Sequence, residues 1–389
     1  MGRTENRFWD FVIKHRLKVF IVSATILSMY ARFCFRGFIS GDMFVFLIPW
    51  YDAIEKYGGL KALSVQVGNY QISYQTLISL MTYLPVNKVY AYKGLSIFFD
   101  YALAAAAAGV IRKMTGSREK AAVTYSAIVI LPTTILNSAA WGQCDSIYTF
   151  FLVMAFLLLL GNRNTAALFC YGVSLAFNLQ AVFFLPFLLF SYVWSKIFPG
   201  WQFLLICLPL LLFSIGGLVQ GRSLLDIIQI YVDQGGQYKQ ISLYYPSFWN
   251  LLVETAAENE ADHYTEIHGM CMAVTVIVLG GMMIRLIRQK KLNGTALLMT
   301  AALMMYTCVL FLPAMHERYS YPVLIFAVMA GALCPKMIPV VLGMVLIDLQ
   351  TYGLYLFKTS ILPWEFLVLL NIACYAGLAY LTWRKACVE

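Results

Sequence analysis

Three short polar clusters interrupt a mostly apolar chain, and each holds side chains able to move a proton or hold an anion. In Ser40-Gly41-Asp42-Met43 a carboxylate follows the first long apolar run. Between an apolar helix and an aromatic segment, Asp42 can be desolvated on one side and reachable on the other, the setting of a general base. Gly-Asp is also ordinary helix-start chemistry, so capping of a following short helix is the competing reading.

The second cluster runs from Asn137 to Ser146 and gathers Trp141, Gln143 and Asp145 between two apolar stretches. A ring, an amide and a carboxylate are what a sugar or polyol site uses, while a turn in which Asp145 caps the next helix is the alternative. The third is Pro313-Ala314-Met315-His316-Glu317-Arg318-Tyr319. Arg318 brings a donor fork suited to phosphate and His316 a second donor. An internal Glu317–Arg318 pair competes, although adjacent residues do not face each other on a helix.

Two further polar intrusions need partners. Lys93 and Asp100 lie seven residues apart on one apolar run, hence on one helix face and about 10.5 Å apart in rise. A charge in that setting faces a partner or a wet cavity, unless Lys93 simply snorkels to the membrane edge. Asn178 and Gln180 break another apolar stretch, where helix packing and ligand contact are equally open.

The elements that must hold these groups follow from composition. Of 389 residues, 61% are hydrophobic and 12% charged, which excludes a soluble globular domain. A net charge of +9 on so apolar a chain also excludes a nucleic-acid binder, whose basic residues would share a solvated face. The nine cysteines show no CxxC pair or ligand spacing and read as small core residues. No carboxylate cluster at ligand spacing stands out, so neither a metal nor any other cofactor is expected.

About twelve stretches are apolar enough for transmembrane helices, near 17–35, 88–111, 121–137, 146–160, 164–178, 180–195, 201–219, 268–286, 295–312, 319–334, 337–350 and 364–382. The predicted fold is an all-α polytopic membrane protein, a single integral domain over 1–389. Most Lys and Arg fall at one set of loop ends, including Lys14, Arg16, Arg112, Arg118, Arg285 and Lys336, and most acids at the other. The positive-inside rule then places both termini in the cytoplasm, with the first span as an uncleaved signal anchor in the plasma membrane. Two long segments, 37–87 and 220–267, lie on the non-cytoplasmic side. The first mixes aromatic and aliphatic residues as interfacial helices do. All the polar clusters fall on that side, whereas an ion pathway would spread them through the bilayer depth.

With these motifs in order, the chain resembles the GT-C superfamily of integral membrane glycosyltransferases, specifically prokaryotic relatives of the eukaryotic GPI mannosyltransferase II. The resemblance is carried by SGDM with PWYD (Ser40 to Asp52), GNYQISY (Gly68 to Tyr74), KGLSIFFD (Lys93 to Asp100), NSAAWGQCDSIY (Asn137 to Tyr148), NLQAVFFLPF (Asn178 to Phe187) and MHERYSYP (Met315 to Pro322). It implies an inverting enzyme that moves a hexose, mannose by analogy, from a polyprenyl-phosphate carrier to a glycan or glycolipid acceptor of the cell envelope. By the same resemblance Asp42 is the base, and Arg318, His316 and Lys93 are the expected donor-phosphate ligands. Trp141, Gln143, Asp145, Asn178, Gln180, Asp52 and Tyr319 are expected to hold sugar or acceptor. Asn178 stands where relatives often carry Lys, which removes a cation from that position. A flippase for a lipid-linked sugar would use the same aromatic and amide groups without a base, and a non-catalytic scaffold would need none of them.

Overall fold

The structure is a computed structural model that describes residues 9, 11–196, 198–252, 264–289 and 292–387. Proline, glycine and short polar caps cut the apolar sequence into helices. The first, α1 (Arg16–Cys34), leads into a π-helical turn (Met43–Leu47) and α2 (Ile48–Lys56), with α3 (Ile72–Met81) following. The long α4 (Lys88–Thr115) starts where Asn87 accepts the Val89 amide at 2.9 Å and ends at the left-handed Gly116. Ser117 then caps α5 (Arg118–Ile130) through the Lys120 amide.

Pro132 cannot continue α5, because its ring forces the preceding residue out of the helical region. The chain bends by 48° into a short α6 (Pro132–Ile135) and a π-helical turn (Leu136–Trp141), and Gly142 closes the turn at φ +79°. A β-carbon on Gly142 would lie 2.9 Å from Met43 Sδ, so only glycine lets this turn meet the Ser40–Met43 segment. After it come α7 (Asp145–Leu159), α8 (Asn164–Phe177), α9 (Leu185–Ser195), α10 (Cys207–Val219) and α11 (Leu224–Gly236). The C-terminal part holds α12 (Tyr264–Ile287), α13 (Gly294–Phe311), α14 (Tyr321–Leu333), α15 (Ile338–Phe357) and α16 (Trp364–Cys387). Two short strands, β1 (Ser242–Leu243) and β2 (Met315–His316), pair in parallel and tie the second long segment to the His316 turn.

This is an all-α polytopic membrane protein. Helices α13 and α14 form its interior, where every residue from Leu298 to Leu310 and from Tyr321 to Ala330 is buried. The outer helices turn large apolar residues outward: Phe20, Ile26 and Phe33 on α1, Leu211 and Ile215 on α10, Val276 and Ile277 on α12. Such faces are stable only against lipid. Each of the twelve apolar stretches holds an apolar helix. Among the described residues, however, seven helices reach membrane-spanning length, or eight counting the bent pair around Pro132, not twelve. The others, in Asp145–Leu159, Asn164–Phe177, Leu179–Ser195 and Tyr321–Leu333, are shorter.

Segment 37–87 carries α2, a 3-10 turn (Gly59–Ser64) and α3. Segment 220–267 carries α11 and β1, with α11 fixed by a Ser223–Asp226 capping box. Most of the acidic run from Glu254 to Glu266 in this segment lies outside the described residues.

Candidate functional site

At the end of the bundle where α1 gives way to α2, a cavity of about 190 Å³ opens between the two long segments. Asp42, Trp141, Gln143, His316, Glu317 and Arg318 line it, so all three polar clusters meet there. Ser40 makes the first tie, since its hydroxyl donates to the Trp141 carbonyl at 2.8 Å and accepts the Met43 amide at 3.1 Å. Asp42 is the N-cap residue of the Met43–Leu47 turn, yet its side chain caps nothing. Its carboxylate accepts instead from Trp141 Nε1 at 2.8 Å and Gln143 Nε2 at 2.7 Å through Oδ2, and from the Tyr355 hydroxyl through Oδ1. Three donors from two distant parts of the chain therefore fix its direction. Trp141 stacks on Tyr355 with ring centroids 4.5 Å apart, which holds two of the donors in register.

Gln143 is aimed in turn by Tyr70, whose hydroxyl donates to Oε1 at 2.9 Å. Burial pushes the Tyr70 phenol well up, so it stays a neutral donor. The Asn137–Asp145 turn closes on itself through Asn137 Nδ2 to Asp145 Oδ2 at 2.7 Å and the Gln143 amide to the Asn137 carbonyl at 3.0 Å. Asp145 caps no helix: Cys144 holds the cap position of α7, and Asp145 is its first residue. Its carboxylate faces Arg318, with Nη1 3.5 Å from both oxygens. Burial is the largest influence and works against the Arg318 charge, but Asp145, Tyr70, Tyr319 and Asp42 together outweigh it and hold the guanidinium pKa above its ordinary value. The Arg318 side chain makes no other hydrogen bond among the described residues. Its guanidinium lies 5.9 Å from the Trp141 ring centre and 6.0 Å from that of Tyr319.

His316 is held by its backbone, which pairs with Leu243 and bridges to Tyr244, and by edge contacts with Tyr238 and Tyr319. The Glu317–Arg318 pair is not formed. Glu317 is 2% exposed, its Oε2 lies 3.5 Å from His316 Nδ1, and that oxygen has no hydrogen-bond partner.

Asp145 backs Arg318 without lining the cavity, and five further predicted site residues do not line it either. Lys93 does not reach the cavity, because its ammonium donates to the Phe35 and Phe38 carbonyls at 2.7 and 2.5 Å, satisfying the chain end that follows α1. Asp52 is drawn away by Lys88 at 2.5 Å, on a half-exposed rim. Asn178 caps the Leu179–Phe184 turn by accepting the Gln180 amide at 3.1 Å. Gln180 faces the Tyr319 hydroxyl, and Tyr319 stands behind Arg318 and His316 without lining the cavity. Conversely Tyr355, Glu317, Tyr70 and Trp50 line it unanticipated. Only Tyr355 had a legible signal: with Asp348 and Tyr352 it forms a polar stripe at i, i+4 and i+7 on an apolar helix.

The model of glycosyltransferase family 87, a GT-C-type family of membrane glycosyltransferases, matches residues 70–313. No curated protein matches. The matched stretch holds Tyr70, Trp141, Gln143 and Asp145 but stops short of Asp42 on one side and of His316, Arg318 and Tyr355 on the other, so the parts assigned to those residues rest on the cavity's geometry.

Proposed function

We propose that this chain, which belongs to glycosyltransferase family 87, moves a hexose from a polyprenyl-phosphate carrier to a glycan or glycolipid acceptor, inverting the anomeric centre. The observation that carries this reading is that a carboxylate fixed by three donors, Asp42, shares one cavity with a guanidinium, Arg318, whose hydrogen-bonding is incomplete. The acceptor hydroxyl attacks the anomeric carbon as Asp42 takes its proton, and the carbon–oxygen bond to the lipid phosphate breaks on the opposite face. Arg318, with His316, balances the charge gathering on the departing phosphate, a preorganised electrostatic effect. Trp141, Gln143 and Glu317 meet sugar hydroxyls.

Cavity size favours a carrier with a small reactive end. At about 190 Å³ it is below the roughly 300–1,000 Å³ of sites for drug-sized ligands, room for one sugar ring but not for a nucleotide sugar. The outward-facing Phe44, Val45 and Phe46, which follow Asp42 and the buried Met43, give a lipid tail an apolar approach. The site would face the non-cytoplasmic side of the plasma membrane, with both termini inside and about twelve helices in the membrane, the shorter ones reaching only part of its depth.

The test is transfer by purified protein offered polyprenyl-phosphate hexoses or nucleotide hexoses, with an envelope glycolipid as acceptor. Product from the lipid donor alone, with the opposite anomeric configuration, is expected. Product from the nucleotide donor alone would refute the carrier assignment.

A further inference from the structure

A hollow larger than the one around Asp42 lies elsewhere in the structure. A cavity of about 800 Å³ lies between the start of α1, the last third of α4 and the start of α5. Arg112 is 19 residues beyond Lys93 on α4, a rise of about 28 Å at 1.5 Å per residue, close to the roughly 30 Å of a bilayer's hydrocarbon core. The hollow therefore sits at the opposite membrane face from the candidate active site.

Its rim is cationic: Lys14, Arg16, Lys18, Arg112 and Arg118 all line it. Arg16 is occupied by Glu119 at 2.7 Å on the exposed surface. The other four form no ion pair among the described residues. The floor is made of Ala105, Ala108, Gly109, Ala121 and Ala122, small residues that leave α1 standing off from α4 and α5 where larger ones would fill the gap. The nearest atom a β-carbon on Gly109 would meet is Leu157 Cδ2, at 3.6 Å. The hollow lies beside the outward-facing Phe20 and Val22 of α1, which belong against lipid chains.

Orientation signals alone need only loose basic loops, whereas here cations from three separate segments surround one apolar-floored hollow. We propose that it is a binding site for an anionic phospholipid of that leaflet. The Arg112 and Arg118 forks take the headgroup phosphate, Lys14 and Lys18 add further positive charge, and one acyl chain lies along the small-residue floor beside Ile21 and Tyr125. A free phosphate would satisfy the rim and leave the apolar floor uncovered.

The experiment is native mass spectrometry of the delipidated full chain titrated with phosphatidylglycerol, phosphatidylcholine or inorganic phosphate, reading the mass retained. Phosphatidylglycerol is expected to bind at least about tenfold more tightly than phosphatidylcholine, with inorganic phosphate unable to displace it. Arg112→Ala with Arg118→Ala removes that preference. Ala108→Phe, which fills the floor and keeps every cation, lowers phosphatidylglycerol retention as well. Equal retention of the two lipids, displacement by inorganic phosphate, or a folded double variant that still prefers phosphatidylglycerol would overturn the assignment. Because the readout is lipid mass and not sugar transfer, the result is independent of the reaction proposed above.

Discussion

Two arginine–aspartate pairs lie in this bundle, Arg32–Asp100 and Arg318–Asp145, and they are built differently. Arg32 reaches Asp100 Oδ2 with Nη2 at 2.8 Å and Nε at 3.2 Å, while Nη1 donates to the Val129 carbonyl at 2.8 Å. Ser138 donates to the same carboxylate at 2.5 Å, and the two side chains are 2% and 0% exposed. Every strong hydrogen-bonding group there is used, and α1, α4 and the chain around α5 are joined by it. Arg318 instead offers Asp145 one nitrogen at 3.5 Å, keeps 16% exposure, and has Trp141 and the cavity beside it. A closed pair holds helices together, and an open one has capacity left for a ligand. Under the proposed function, the first pair belongs to folding and the second to the reaction.

Breaking the closed pair should have the largest effect. Arg32→Ala leaves Asp100 buried without its cation, and removing one partner of a buried pair costs about 3 to 5 kcal/mol, so little folded protein should survive size-exclusion chromatography. Replacing both partners by Met and Leu should restore folding and most transfer, because apolar substitutes for a buried pair are often neutral. Recovery of folding without transfer would give the closed pair a part in the reaction.

At the open pair the expectation reverses. Arg318→Gln, whose amide can still donate to the buried Asp145, should fold with a much smaller loss of melting temperature than Arg32→Ala and lose about 10² to 10³ in kcat, the usual loss for one transition-state donor. A drop in stability with normal turnover per folded molecule would erase the contrast. Tyr355→Phe removes one of three donors to Asp42. A hydrogen bond to a charged group is worth about 1.5 to 3 kcal/mol, so transfer should slow at least about tenfold while KM for the donor barely moves. Glu317→Gln should have a smaller effect still, raising KM for one substrate severalfold; equal loss with every sugar tested would remove Glu317 from sugar recognition. EDTA should leave the rate unchanged, and a loss restored by one divalent cation would bring a metal into the account.

Much of this was legible from sequence because it is local. The apolar runs all became helices, and Pro132, Gly142 and the caps at Asn87 and Ser117 mark helix ends by backbone chemistry that acts within a few residues, although the predicted stretch 121–137 runs straight through Pro132. The membership of the cavity was partly legible for the same reason, as Asp42, Trp141, Gln143, His316 and Arg318 each sit at a visible break in an apolar pattern. What could not be read was partner choice across the bundle. Tyr355 is 313 positions from the carboxylate it holds, and nothing near Lys93 or Asp52 announces the Phe35 and Phe38 carbonyls or Lys88. Arg32 looked like the tail of a span and proved to be the cation for Asp100. The stretches at α7, α8, α9 and α14 count as spans in the sequence although their helices are short, because hydropathy records burial, and these helices are packed mainly against protein.

The central claim is that Asp42 removes the acceptor proton, and its most direct test is the transfer rate of purified Asp42→Asn beside wild type. The substitution keeps the shape of the side chain and its contacts with Trp141, Gln143 and Tyr355 but removes the base. General-base catalysis is worth about 10² to 10⁴, so a loss of at least about a hundredfold in kcat is predicted, with unchanged melting temperature and undiminished binding of the lipid donor. Near-normal transfer by the folded variant would contradict the account.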